Sequence, residues 1–330
     1  MNKNSSLQVF ISDSQDPYFN LALEDYLFKK VLNHTPILFF YINQPSIIIG
    51  RAQNPWLECN LELMAQDKIL LARRQSGGGA VYHDAGNLNF CVLSPINPIS
   101  PINYFDKFLN LNLIKKSLGF FNIPEDLISI GPRHDLWVNY KNINYKFSGC
   151  AFRQSKNTAF HHGTLLLNTD LSALNNYLKP SELFKDIKNI NLENIKGVKS
   201  VRSPVLNLKE INPEIKNKTP ELIKKISEIF AAHWGLSLDF VSPISLPSCS
   251  LDVGANLVFA QDQAEIMTQE ISHLQSFEWL YGKTLPFEIT QNILDQENNL
   301  ISVNLSIENG LIKNITPLNK NLENLLGKKL

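Results

Sequence analysis

Three consecutive glycines, Gly77, Gly78 and Gly79, limit what this chain can build around them more than any other stretch. They bring no side chain to a core, and they lose more backbone entropy on folding than other residues. What they offer is backbone that another group can approach closely, in dihedrals closed to other residue types. Arg73 and Arg74 stand just before them, and His83 and Asp84 follow. Guanidinium and peptide N–H groups in this order suit an anion. A Gly-rich hairpin turn with ordinary flanking charges is the other reading. The glycines alone leave both open.

The totals narrow the setting. With 330 residues, 44% hydrophobic and 19% charged, the chain reads as a globular protein with one large domain and one smaller one. Its 31 basic and 31 acidic residues cancel, so no global field attracts nucleic acid or an anionic membrane. Cys59, Cys91, Cys150 and Cys249 are scattered, with no C-x-x-C pair. That spacing argues against a zinc site or a disulfide framework and fits a reducing compartment. No apolar run reaches the roughly 18 residues of a membrane span. The N-terminus resembles neither a signal core nor an Arg-rich leader, so a cytoplasmic location is expected.

Along the chain, Leu7–Ile11 reads as a strand. Asp16 and Pro17 then cap and open a helix carrying Phe19, Ala22, Leu23, Tyr26 and Leu27 on one face. Ile37–Tyr41 and Ser46–Ile49 are short strands, Trp56–Gln66 a helix, and Ile69–Ala72 a strand that delivers the arginines. Ala80–Tyr82 and Leu88–Leu93 follow as strands, then Pro-rich sequence at 95–101 and a helix from Ile102 to Leu118. Asp135–Val138 and Asn144–Ser148 form a hairpin, Phe160–Leu167 a strand and Leu171–Leu178 a helix. The Asn-, Lys- and Ile-rich sequence from Phe184 to Lys218 reads as loops. Thr219 and Pro220 open a helix whose Leu222, Ile226, Ile229, Phe230 and His233 share a face, with Gly235 as its stop. Val241–Cys249, with two prolines and three serines, fits a linker. The domains are then 1–241, a linker at 242–250, and 251–330. The last holds a helix at Asp262–Leu274 and strands at Phe287–Leu294 and Leu300–Ile307, with an Asn309-Gly310 turn.

Other chemical candidates are few. Lys146 lies in a strand pattern followed by Ser148-Gly149-Cys150-Ala151, and is either an exposed residue reaching water or a charge aimed into a pocket. Adjacent strand residues point to opposite faces, so His161 and His162 can hardly bind one metal ion. One faces a pocket and the other the core or solvent. Ser76 and Ser148 lack a G-x-S-x-G context. The glycines lack the Lys-Ser/Thr of a P-loop and the G-x-G-x-x-G fingerprint.

Ordered motifs nevertheless stand together: Arg73-Arg-Gln-Ser-Gly-Gly-Gly-Ala-Val-Tyr-His-Asp84, Lys146-Phe-Ser-Gly-Cys-Ala151 and Phe160-His-His-Gly-Thr-Leu-Leu-Leu167. Ile11–Ala22, Ile49–Trp56, Ser200-Val-Arg-Ser203 and Trp279 with Gly282 extend the pattern. Over nearly its whole length the sequence resembles the lipoate–protein ligase family. The resemblance implies an α/β (α+β) fold: a catalytic domain with mixed sheets, like those of biotin ligases and class II synthetases, plus a small C-terminal α/β cap domain. It also implies a reaction. ATP and lipoate, with magnesium, give lipoyl-AMP and pyrophosphate. The lipoyl group then passes to a lysine on lipoyl domains of 2-oxoacid dehydrogenase complexes or on glycine-cleavage H protein.

By the same resemblance, Arg74 would hold phosphate and the backbone of Gly79, Ala80, Val81 and Tyr82 would line the nucleotide. Lys146 would sit between the lipoate carboxylate and the α-phosphate. Ser76, His83 and His162 would surround the acyl group, Tyr41 would line its slot, and Asp135 would contact magnesium or ribose. The chain departs from the family in two places. His134 stands where Asn is common, and Cys150 stands in a run that is often Ser-Gly-Ser-Ala. Related acyltransferases carry the acyl group on a cysteine without ATP, which makes a Cys150 thioester, or use of preformed lipoyl-AMP, the competing route. A non-catalytic lipoate-binding module and a biotin ligase are weaker readings. The latter lacks its Gly-Arg-Gly-Arg-type loop here.

Overall fold

The computed structural model describes residues 6–31, 36–96, 103–181, 199–244, 261–294, 300–316, 322 and 325–329. The Pro-rich stretch at 97–102, the loop sequence at 182–198 and the linker positions 245–250 lie outside the described residues. Strands are β1 (Ser6–Ser12), β2 (Ile37–Tyr41), β3 (Ser46–Ile49), β4 (Leu70–Arg73), β5 (Val81–His83), β6 (Asn87–Pro95), β7 (Ile128–Ile130), β8 (Leu136–Tyr140), β9 (Ile143–Ser148) and β10 (Cys150–Gln154). They continue with β11 (Thr158–Leu166), β12 (Ser237–Ile244), β13 (Phe287–Leu294), β14 (Leu300–Glu308) and β15 (Leu311–Thr316). Helices are α1 (Pro17–Lys30), α2 (Pro55–Glu58), α3 (Leu61–Gln66), α4 (Lys107–Gly119), α5 (Leu171–Tyr177), α6 (Thr219–Trp234) and α7 (Gln261–Gln275).

Local sequence explains most of these boundaries. The Asp16 side chain accepts the Tyr18 N–H and Pro17 opens α1, as the sequence predicts. Gly235 ends α6 with φ +66°, a left-handed stop that a residue with a Cβ resists. His233, expected on the apolar face of α6, is exposed. Trp56–Gln66 is two helices rather than one, because Asn54 and Asn60 each cap a separate start. Lys141 and Asn142 both have positive φ in the tight turn between β8 and β9.

Contacts divide the chain into two compact units, 1–46, 83–171 and 202–271 in one, 47–82, 172–201 and 272–330 in the other. This grouping does not follow a cut at the linker, since residues 272–330 group with 47–82. The first unit is built on a mixed six-stranded sheet of order β10-β11-β6-β2-β1-β12. β1 runs parallel to both β2 and β12, whereas β2, β6, β11 and β10 pair antiparallel. One sheet face buries Leu7, Val9, Leu38, Phe40, Leu88, Phe90 and Val92 against α4 and α6 residues such as Leu111, Ile114, Ile226 and Phe230. At about 25 cal/mol per Å² of apolar area removed from water, such a cluster is the main term favouring this unit. A small sheet, β7-β8-β9, completes it.

The second unit holds the sheet β13-β14-β15, whose Phe287, Ile289, Val303, Leu305 and Ile307 bury Trp56. Strands β3 and β4 and most of β5 add the sheet β4-β3-β5, with Ile47, Ile49, Leu71 and Tyr82 in one cluster with Tyr177. Among the described residues no helix is long and apolar enough to cross a membrane.

Candidate active site

Lys146 sits mid-strand in β9, and its backbone is held on both edges. It pairs with Trp137 of β8 on one side. On the other, its N–H donates to the Pro204 carbonyl at 2.8 Å and its carbonyl accepts from Leu206 N–H at 3.2 Å. Asp135 and Trp137 lie two residues apart, so their side chains share a face, and Lys146 faces them. Its ammonium lies 3.1 Å from Asp135 Oδ2, with 22% of the side chain exposed against 3% for Asp135. The lysine therefore does not simply extend to water. Burial works to raise the Asp135 pKa. The Trp137 indole N–H and the Lys146 ammonium overcome it and hold the carboxyl below its usual range.

The turn before Asp135 accounts for His134. The Gly131 N–H donates to the Asp135 carbonyl and the His134 N–H donates back to the Gly131 carbonyl. His134 is left-handed, with φ +56°. A Cβ on Gly131 would run into the Asp135 carboxylate and the Trp137 indole. Asn adopts the left-handed region more easily than His. The Asn common in the family thus suits the backbone here without any appeal to metal contact. His134→Asn should raise stability by about 0.5 kcal/mol, visible as a higher urea midpoint. A lower midpoint would mean that the edge contact of His134 with the Phe152 ring matters more.

The second face of the six-stranded sheet carries the candidate acyl-site residues. Register places Phe39, Cys91, His162 and Ala151 in one row across β2, β6, β11 and β10, and Tyr41, Asn89 and Thr164 in a parallel row two residues along. Tyr41 stacks on Phe39 with ring centroids 4.9 Å apart. His162 Nδ1 lies 3.0 and 2.9 Å from the two Glu24 oxygens, so the carboxylate holds a proton on Nδ1. His83 takes the opposite tautomer. Asn43 Oδ1 accepts from Asn20 Nδ2 at 2.8 Å, which leaves Asn43 Nδ2 to donate to His83 Nδ1 at 2.9 Å. The His83 proton therefore sits on Nε2. His161 points to the core face, beside Phe90 and Phe152, and burial pushes its pKa well down, so it stays neutral. Sequence reasoning missed Glu24, Asn20 and Asn43. Their one signal was that polar residues sit inside a helix and a turn whose neighbours are apolar.

In the second unit the glycine stretch is braced from within. Arg74 Nε donates to Ser76 Oγ at 3.0 Å, Nη1 to Ile48 O at 3.0 Å and Nη2 to Gly79 O at 2.7 Å. Gly77 O accepts from both Nε and Nη2. Ser76 thus serves the loop. A Cβ on Gly50 would collide with the Gly78 carbonyl, and Gly78 has φ +85°. Ala80 N–H donates to Ser200 Oγ at 2.9 Å. Val81 and Tyr82 enter β5, and the Tyr82 ring is buried 6.0 Å from that of Tyr177. Arg73, which the sequence paired with Arg74, turns the other way, into carbonyl oxygens. Asp84, in the first unit, closes a turn by accepting from Gly86 N and Asp170 N.

The predicted residues therefore form two groups. Lys146 with Asp135, and Tyr41, His83 and His162, belong to the first unit. Arg74, Ser76, Gly79, Ala80, Val81 and Tyr82 belong to the second. Asp135, expected to contact magnesium or ribose, lies 3.1 Å from the Lys146 ammonium, and among the described residues no three His, Cys, Asp or Glu side chains gather into a metal-sized group.

The fold is mixed α/β, with Lys146 paired to Asp135 in the first unit and an arginine-braced glycine loop in the second. Residues 16–231 match the family model of the lipoyl protein ligase A/B catalytic domain, and the chain belongs to that family. A lipoate-protein ligase A from Bdellovibrio bacteriovorus is 36% identical over 314 residues, 94% of this chain and 81% of that one. The structure of P. falciparum LipL1 in complex with lipoate matches with a TM-score of 0.62 at 28% identity, over 99% of this chain and 90% of that one. A bipartite lipoate protein ligase from Thermoplasma acidophilum, studied with its E2 lipoyl domain, matches with a TM-score of 0.60 at 25% identity, over 84% and 96%.

Proposed function

We propose that the chain is an ATP-dependent lipoate–protein ligase. The lipoate carboxylate attacks the α-phosphorus of ATP, pyrophosphate leaves, and lipoyl-AMP forms. The neutral ε-amine of an acceptor lysine then attacks the acyl carbonyl and AMP leaves. The acceptors are lipoyl domains of 2-oxoacid dehydrogenase complexes and the glycine-cleavage H protein. Family membership supports this reading, and the observation that carries it is Lys146, a half-buried ammonium held on a doubly paired strand. Its charge offsets repulsion between carboxylate and phosphate, then stabilises the charge developing in both steps. In this reading Arg74 and the backbone from Gly79 to Tyr82 hold the nucleotide. Tyr41, His83 and His162 border the lipoyl group, and Asp135 orients Lys146. Magnesium would enter with the ATP phosphates, as a cation that binds few protein ligands does.

ATP–pyrophosphate exchange that depends on lipoate tests the proposal, run beside octanoate and biotin. No exchange by purified protein with lipoate would sink it.

The thioester route is the weaker one. Burial pushes the Cys150 thiol up to about 12, more than the Ser148 hydroxyl and Lys146 ammonium pull it down, so it carries almost no thiolate at neutral pH. Cys150→Ser should keep both exchange and lipoyl transfer within about threefold of wild type. Loss of transfer with exchange intact would restore the cysteine route.

A further inference from the structure

Ser200 lies against the glycine stretch. Its Oγ accepts the Ala80 N–H at 2.9 Å and the Gln53 Nε2–H at 3.1 Å. Gln53 Oε1 in turn accepts the Gly50 N–H at 2.8 Å. Gly50 lies so close beneath the Gly78 carbonyl that a Cβ there would collide with it. One hydroxyl therefore ties together the two glycine segments, 50–53 and 77–80. Ser200 is itself fixed, since its N–H donates to the Glu58 carboxylate oxygens at 3.1 and 3.2 Å. Gly79 packs directly on it, and a Cβ on Gly79 would stand 3.0 Å from Ser200 Oγ and 3.3 Å from its Cα. Glycine at 79 is thus required by Ser200 as much as by any ligand.

We propose that Ser200 is the positioning residue for the nucleotide loop, setting Gly79 and Ala80 from outside while Arg74 braces them from within. Serine suits this task because its oxygen can accept from two donors at once and its short side chain fits against a glycine. Alanine at 200 would leave the Ala80 N–H and the Gln53 amide without their acceptor, and the loop would sample other conformations. The role rests on the ligase reading given above, and acts through the loop rather than on the reacting atoms.

Two measurements test it. Amide hydrogen exchange at Ala80 in the full chain with no added ligand should be slow in wild type. In Ser200→Ala it should be faster by about tenfold, the size of one net hydrogen bond. Ser200→Thr, which keeps the hydroxyl, should restore protection. In ATP–pyrophosphate exchange, Ser200→Ala should raise the KM for ATP by about tenfold and leave the KM for lipoate and kcat near wild type, as expected when uniform binding is lost. A merely structural role would lower the active fraction and hence kcat, with KM unmoved. Unchanged Ala80 exchange in Ser200→Ala, or an unchanged KM for ATP, overturns the assignment. If wild type shows no lipoate-dependent exchange, the ligase reading fails, and Ala80 protection still decides whether Ser200 sets the loop.

Discussion

Replacing Lys146 by alanine should lower lipoate-dependent ATP–pyrophosphate exchange by about 10²–10³-fold, the usual cost of removing one preorganised donor at developing charge. The structure supplies the preorganisation. The Lys146 backbone is paired with β8 on one edge and with residues 204 and 206 on the other, and its ammonium is 3.1 Å from Asp135 Oδ2. Asp135 is a local counter-ion, and a substrate carboxylate or phosphate can compete for the ammonium once it arrives. Because the Asp135 carboxyl is held below its ordinary value, the pair is intact throughout neutral pH. Its contribution to stability is present above the unfolded carboxyl pKa and is lost as pH falls through the lowered folded value. Lys146→Arg should not rescue the rate, since a planar fork replaces a compact point charge. Asp135→Asn should cost less than Lys146→Ala, because it removes orientation and leaves the cation. Exchange in Lys146→Ala within about threefold of wild type would place the chemistry elsewhere.

The elements around this candidate site were legible in the sequence unevenly. Elements with local signals were legible: α1 from Asp16 and Pro17, α6 from Gly235, and the β8–β9 hairpin from its apolar runs. β10 was not, because Ser-Gly-Cys-Ala looks like a loop until β11 pairs with it. β15 was missed although its turn, Asn309-Gly310, was seen. Lys146 and His162 were singled out in the sequence, yet the carboxylates that lie against them, Asp135 and Glu24, were assigned another role or passed over. The Glu24 partner lies 138 residues away and Ser200 is 120 residues from Ala80, separations that no periodicity reports. The two arginines give the sharpest case. Written side by side they looked like one anion-binding pair, but Arg73 ends a strand and its neighbour points the other way.

That divergence gives the second large effect, on stability. Arg73→Leu should destabilise the protein by about 3–5 kcal/mol, in the range reserved for broken buried polar networks. Arg73 is wholly buried and faces acceptors rather than a carboxylate. Nη1 donates to Arg51 O at 2.9 Å and Gln53 O at 2.7 Å, Nε to Leu280 O at 3.1 Å, and Nη2 to Leu280 O and to Thr284 Oγ1 at 3.2 Å. The Arg73 carbonyl in turn accepts the Trp279 indole N–H at 2.8 Å. Burial lowers its pKa to about 10, so it remains charged at neutral pH, paid for by this ring of carbonyl dipoles. Within the second unit it therefore joins the segment at 50–53, which carries Gly50 and Gln53 of the Ser200 network, to the helical turn at 278–282 and Thr284. Leucine would leave several buried oxygens unpaired at once. Lysine would recover only part of the loss, having three donors on one nitrogen where the guanidinium reaches acceptors on two sides. A urea midpoint for Arg73→Leu equal to wild type would show that water replaces the guanidinium. A large drop, with Arg74→Leu costing less, would establish that the first arginine of the pair holds the unit together.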